Sequence, residues 1–300
     1  MSVSALCVGH AAWDLSMFVD AYPVENSKTE TGFLIESGGG PAANAAWLLG
    51  LWGVPTAFAA VVGQDDYGGK AVKELVDVGV DCRLVEQRTH HSTPLSFIIV
   101  NRNTGSRTVL NHKAPGAGLC LTRPSLQGLD PQLLLFDGHE LDASLAAMEA
   151  FPSAVTVLDA GSLREGTAAL ASKVCYLICS ERFAGQVTGE ADVLAHQPAC
   201  LRRLRELYGN VVVVTLGANG AIFDNGKYEG HLPALPVEAR DTTAAGDIFH
   251  GAFAYALLKR LPLQKALRLA TVAAGLSVQR QGGRLSVPHL KAVLERLPDD

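Results

Sequence analysis

The chain has 300 residues, 48% hydrophobic and 18% charged, a balance that supports a large buried core and argues against disorder. With 25 basic against 30 acidic side chains and a net charge of −5, it offers no electrostatic footprint for nucleic acid or an anionic membrane. No stretch reaches about 18 uninterrupted apolar residues, and Met1–Leu15 lacks a basic stretch leading into an apolar run, so the chain reads as a soluble cytoplasmic protein.

Ser4–Val8 is a short apolar run stopped by Gly9, which predicts a buried strand. Asp14–Asp20 and Lys28–Glu36 are more polar and alternating, as in a sheet with one wet face. Pro41–Leu51 predicts a helix, Thr56–Val62 a strand, and Gly68–Val78 an amphipathic helix closed by Gly79. Leu95–Val100 and Arg107–Asn111 flank Asn103-Thr104-Gly105, which reads as a hairpin turn. Short β-rich runs follow at Leu133–Phe136, Thr156–Asp159, Tyr176–Cys179 and Val211–Thr215. Helices are predicted over Leu141–Ala150, Leu163–Ser172 and Ala191–Tyr208. The alternation predicts an α/β fold: a mostly parallel sheet with helices on both faces. The last third is nearly all helix: Ala245–Leu261, Leu263–Gln281 and Pro288–Leu297. There is no repeat and no linker, so residues 1–300 read as one domain, with the polar segments at about 14–36 and 92–112 as excursions from it.

The strongest chemical signal is Asp241-Thr-Thr-Ala-Ala-Gly-Asp247, running directly into an apolar helix. Small residues before a helix leave backbone N–H groups free, and the helix dipole adds to them, so the turn can hold a phosphate in transfer. A carboxylate at Asp247 can take the proton of an attacking hydroxyl there. An ordinary Asp-capped helix start uses the same residues. The second signal is Ser37-Gly-Gly-Gly40-Pro-Ala-Ala-Asn44, where glycines admit a ligand to the backbone and Asn44 offers a donor and an acceptor to hydroxyls. Gly38-x-Gly40-x-x-Ala43 also fits a loose dinucleotide fingerprint, but its preceding strand is polar and is not the first. A plain tight turn fits it as well. Gly63–Ala71 misses a phosphate loop by one position and has Ala71 where magnesium would need a hydroxyl. The six scattered cysteines read as buried and reduced. His10, His139 and His250 read as packing or hydrogen-bonding histidines near the site.

Asp241–Asp247, Gly39–Asn44 and the alternating fold together resemble the PfkB, or ribokinase-like, carbohydrate kinases. The resemblance also takes in Gly9…Asp14, Gly63-x-Asp65-x-x-Gly68, Gly105-Ser-Arg107-Thr, Val214–Gly220 and Arg280–Gly283. It implies a three-layer ribokinase-like fold with a small β-sheet lid, often paired into a homodimer. It implies an ATP-dependent sugar kinase using Mg2+ and K+, in which Asp14, Gly39, Gly40 and Asn44 hold the sugar. Arg107 reaches ATP phosphates, and Thr215, Gly217, Gly220 and Ala274 belong to the nucleotide site. Ala244, Ala245 and Gly246 form the anion hole around the base Asp247. Asp241, Thr243 and Gly283 belong to a monovalent-cation site.

Three positions depart from the family. Ala244 replaces a usual glycine, Ser180-Glu-Arg-Phe183 replaces Asn-x-x-Glu, and Thr271 stands where many members have Asn. These departures, with Gly282–Pro288 and Gly246–Gly251, resemble the ketohexokinase and sulfofructose-kinase side. A ketose is therefore expected, neutral or carrying an anionic group that Arg107 and Arg284 could meet. A nucleoside kinase, or a sugar-binding protein with a decayed site, are the alternatives.

Overall fold

The computed structural model describes residues 3–113 and 115–297. The first half runs β1 (Ala5–Val8), β2 (Ala12–Val19), β3 (Leu34–Gly39), α1 (Pro41–Leu51), β4 (Thr56–Gly63), α2 (Asp66–Asp77), β5 (Asp81–Arg88), β6 (Leu95–Asn101) and β7 (Arg107–His112). The middle runs β8 (Leu133–Phe136), α3 (Leu141–Ala150), β9 (Val155–Ala160), α4 (Glu165–Ala171), β10 (Tyr176–Ser180), α5 (Glu181–Thr188), α6 (Gln197–Tyr208), β11 (Val211–Thr215), β12 (Ala221–Asp224) and β13 (Glu229–Leu232). Helices α7 (Ala245–Leu258), α8 (Leu263–Ser277) and α9 (Leu290–Leu294) complete the chain.

Nine strands form one sheet in the order β13-β12-β11-β10-β9-β8-β1-β4-β5, parallel except where β12 and β13 turn back at one edge. Short apolar runs suit its interior because both faces are covered. Ala5 and Cys7 of β1 point into a core shared with α1, α7 and α8, while Leu6 and Val8 point into the core made with α3, α4, α5 and α6. Leu133 and Leu135 against Leu134 and Phe136 divide the same way along β8. The strand order reverses beside β1, and in open parallel sheets the crevice at the carboxyl ends of the strands at such a reversal takes ligands.

The two polar excursions pair with each other in a separate four-stranded sheet, β3-β2-β6-β7. Here β2 is antiparallel to β3 but parallel to β6, a pairing between segments some 80 residues apart. Phe18, Ile98 and Val100 form its small core.

Several boundaries differ from the sequence reading. Residues 28–33 form no strand; β3 begins at Leu34, where the apolar residues resume. The helix expected over Ala191–Tyr208 starts at Gln197, with Pro198 in its first turn, and the separate α5 precedes it. Strands β5 and β13 lacked the apolar run that marks a strand, because each lies at a sheet edge; β12 is buried over Ala221–Phe223, a run of only three apolar residues. The cysteines are free, yet Cys120 and Cys175 are exposed, so burial holds only for some of them. No helix among the described residues is long and apolar enough to cross a membrane.

Candidate active site

Helix α7 opens the site. Its N-cap is Ala244 with φ 60° and ψ 6°, so the expected anion-hole alanine sits in left-handed backbone that glycine adopts at lower cost. That conformation turns the chain so that Ala245, Gly246 and Asp247 form the first helical turn, whose leading N–H groups have no acceptor further back in the helix. Asp247 is half-buried, and Asn44 Nδ2 donates to its Oδ2 at 2.7 Å. Desolvation raises the Asp247 carboxyl above the usual carboxylate range; the Asn44 hydrogen bond and the charges of His250 and Arg107 act in the other direction.

Asn44 is fixed from its other side. Arg284 Nε donates to Asn44 Oδ1 at 3.0 Å, Arg284 Nη1 pairs with Glu74 Oε2 at 3.0 Å, and Nη2 donates to the Gly39 carbonyl at 3.3 Å. Arg284 is only 1% exposed. Its guanidinium is therefore committed inside the protein and cannot serve as the free cation expected for an anionic substrate. The triple glycine makes this assembly fit. A side chain on Gly38 would run into the Arg284 guanidinium, and one on Gly39 into the Asp14 carboxylate. Gly40 has φ 95° and lies against the His10 carbonyl. Asp14, on β2, is buried at this junction. Desolvation pushes its carboxyl up to about 6, against a Ser96 hydrogen bond and the Arg284 charge, which lower it.

The tip of the β6–β7 hairpin reaches the same place. The Gly105 carbonyl accepts from Thr242 N–H at 3.1 Å and Thr242 Oγ1 at 3.0 Å, and Arg107 Nη1 donates to Thr242 Oγ1 at 3.0 Å. Arg107 thus stands beside the segment leading into the α7 turn. Asp241, Thr243 and Gly283 are also brought together. Asp241 accepts from Thr243 N–H and Gly282 N–H, each at 2.9 Å, and Gly283 packs against the Thr243 methyl. Thr243 Oγ1 is buried without a hydrogen-bond partner. Ala274 lies on α8, and its carbonyl accepts from Val278 N–H; the Val278 carbonyl in turn accepts from Asp241 N–H. Thr215 ends β11, and Gly217 and Gly220 lie on the turn after it; no hydrogen bond between described residues ties them to Ala274.

The carbohydrate kinase description, "pfkB family carbohydrate kinase", matches residues 3–290. The chain belongs to the pfkB family. Among its relatives, the deoxyribokinase of Salmonella typhi is 27% identical over 298 residues, covering 97% of each chain. The structure of a putative ribokinase from Agrobacterium tumefaciens superposes with a TM-score of 0.87 at 25% identity, over 99% of this chain and 98% of that one. Ribokinase from Cryptococcus neoformans in complex with ADP gives 0.80 at 27% identity, over 99% and 100%. This pfkB member is an ATP-dependent carbohydrate kinase with the ribokinase-like fold.

Within the family frame the departures acquire physical reasons. Ser180 caps α5, accepting from Phe183 N–H at 3.1 Å, and Phe183 is wholly buried against the core. No carboxylate replaces the family's glutamate there. Thr271 Oγ1 is buried without a partner on α8. His250 is a structural link, its Nδ1 2.6 Å from the Gly246 carbonyl and 3.2 Å from Asp159 Oδ2, its Nε2 3.2 Å from the Ile178 carbonyl. Sequence reasoning passed over Glu74, Asp137 and Asp159. The last two were findable: each is an acid closing a short apolar run, where parallel strands deliver side chains to the crevice. Glu74, on the polar face of α2, gave no signal. A surface recess lined by Leu133, Phe151 and Leu258 lies at the opposite end of the strands from Asp137 and Asp247. The site is identified by its converging side chains instead.

Proposed function

We propose that the protein transfers the γ-phosphate of ATP directly to a hydroxyl of a small sugar, with Asp247 as general base. The observation that carries this reading is the Asp247 carboxylate, held by Asn44 at the mouth of α7, where Ala245 N–H donates to the Thr242 carbonyl at 3.3 Å and the N–H groups of Gly246 and Asp247 have no acceptor among the described residues. The attacking hydroxyl gives its proton to Asp247 as its oxygen bonds to phosphorus, and ADP leaves with the electrons of the broken P–O bond. The turn of Ala244, Ala245 and Gly246 stabilises the charge on the phosphoryl group. Asp14, Gly39, Gly40 and Asn44 hold the sugar, Arg107 serves the phosphates, and Thr215, Gly217, Gly220 and Ala274 line the nucleotide site. The unpartnered Thr271 hydroxyl supports a nucleotide contact on α8.

In this reading residues 1–300 are one kinase domain, and the four-stranded sheet is its lid, docked through Gly105 and Thr242 so that water does not accept the phosphate. The face turned away from its small core exposes Leu34, Phe97 and Leu110, which supports a homodimer through the lid. Among the described residues no three acidic, histidine or cysteine side chains gather around a metal position. Magnesium fits here through ATP phosphates and its own waters. The orphaned Thr243 hydroxyl beside the Asp241 carboxylate fits a potassium ion. The enzyme works in the cytoplasm.

For the sugar, the ketose expectation loses the support it drew from Arg284, which is paired with Glu74. Relatives named for ribose and deoxyribose favour a furanose of pentose size. The test is ADP release with ribose, deoxyribose, fructose and adenosine. Ribose or deoxyribose leading supports the reading, and fructose leading restores the ketose. Adenosine ahead by about 100-fold, roughly 2.7 kcal/mol, makes the enzyme a nucleoside kinase. No ADP release with any of the four, nor with a phosphorylated sugar, leaves a sugar-binding protein.

A further inference from the structure

Both ring nitrogens of His250 face oxygen. The residue lies on α7, one turn past Asp247, and is buried. Nδ1 is 2.6 Å from the Gly246 carbonyl and 3.2 Å from Asp159 Oδ2, while Nε2 is 3.2 Å from the Ile178 carbonyl. A backbone carbonyl only accepts, so each nitrogen needs a hydrogen, and only the imidazolium carries two N–H groups. Moving a proton to Asp159 would leave the Nδ1 lone pair against the Gly246 oxygen. Asp159, buried at the end of β9, supplies the counter-charge that a buried imidazolium requires.

The Gly246 carbonyl and the Asp247 N–H belong to one peptide group. That N–H sits in the first turn of α7 with no acceptor among the described residues. A cationic donor on the oxygen of a peptide polarises its N–H, which strengthens the donor that an incoming phosphoryl group would meet. The His250 charge also reaches the Asp247 side chain, where it favours the ionised form against desolvation.

The surroundings leave Asp159 as the ring's direct partner. Asp137 of β8 and Arg164 before α4 act on Asp159, and Arg107 of the lid acts on Asp247. Helix α1 carries no ionisable side chain, and Lys265 and Arg268 of α8 are exposed. Cys179 of β10 points into the opposite core, where burial raises its thiol. Burial raises the Asp159 carboxyl, and the His250 charge lowers it. We infer that the His250 imidazolium, held by Asp159, is a positioning residue for phosphoryl transfer: it polarises the Gly246–Asp247 peptide and sets a positive charge one turn from the Asp247 carboxylate. This deepens the kinase reading and rests on it.

The test begins with nitrogen NMR of the isotope-labelled histidines in the full-length protein, with His250 assigned by its loss in His250→Asn. Near neutral pH both ring nitrogens of His250 should carry hydrogen. Asp159→Asn removes the counter-charge, so the ring should lose its second proton at lower pH, and the alkaline fall in kcat should move down with it. His250→Asn should lower kcat by about tenfold and leave the sugar and ATP KM values within about threefold. It should also move the acid limb, where Asp247 ionises, up by about one pH unit, because the neighbouring cation is gone. A single ring N–H in the wild-type protein overturns the inference. So does an acid limb that stays in place in His250→Asn while only the melting temperature falls, which would make His250 a tie between α7 and β10 alone. If no sugar releases ADP from the wild-type protein, the kinase reading fails. The ring nitrogens then still decide the pair, two N–H groups supporting the imidazolium and one overturning it.

Discussion

Asn44 bridges Arg284 to Asp247: its Oδ1 accepts from Arg284 Nε at 3.0 Å while its Nδ2 donates to Asp247 Oδ2 at 2.7 Å. The arginine thereby decides which way the amide points. With Oδ1 occupied by a donor, Nδ2 is the end left for the carboxylate, and the base is held in one rotamer. Behind Arg284 stands Glu74, which also accepts from Gly38 N–H at 2.8 Å. The sugar loop and the base are held by one buried charge pair.

Arg284→Met should therefore lower kcat by about tenfold or more and destabilise the fold by roughly 3–5 kcal/mol, since it leaves Glu74 without its partner. Adding Glu74→Gln should recover part of the stability and little of the turnover. Denaturant unfolding and steady-state kinetics on the two variants measure these separately. Recovery of both together would mean that Arg284 acts on the fold alone.

The sequence made the two motif turns legible because their chemistry is local: Asp241–Asp247 and Gly39–Asn44 each carry their meaning within a few residues. Strands β1, β4, β8 and β9 were legible because a doubly covered parallel strand is a plain apolar run. The Arg284–Asn44 bond joins residues 240 apart, and nothing local in Gly282–Pro288 marks Arg284 as buried. For that reason it read as a free cation. The parallel pairing of β2 with β6 is likewise set by tertiary contact, and the edge strands β5 and β13 lacked the pattern that burial imposes.

Ala244→Gly should stabilise the protein by about 1 kcal/mol, because glycine adopts φ 60° without the Cβ clash. Thermal unfolding with and without ATP reads the change. A lower melting temperature in the variant would show that the alanine methyl contributes more through packing than its backbone conformation costs.

Asp14 has a folded-state carboxyl raised to about 6 from an ordinary 3.8. Between those values the folded protein binds a proton that the unfolded chain does not, so this group's contribution favours folding at low pH and is lost as pH rises through about 6. Asp14→Asn should accordingly stabilise the protein at pH 8 by roughly 1–3 kcal/mol, with little gain near pH 4, while sugar binding weakens. Unfolding curves at the two pH values test this. A gain independent of pH would remove Asp14 titration as the cause.

Potassium should raise activity relative to sodium or a bulky organic cation, because Thr243 Oγ1 is buried without a partner beside Asp241. Thr243→Val should reduce the potassium effect. Rates equal in all three salts would exclude a cation role for this turn.

The central claim is that Asp247 takes the proton of the sugar hydroxyl. The most direct measurement is Asp247→Asn, read by ADP release in single-turnover and steady-state assays, with sugar affinity by calorimetry on the same protein. Turnover is predicted to fall by about 10² or more, with sugar affinity changed only a few-fold. Near-normal turnover with the sugar still bound would contradict the account.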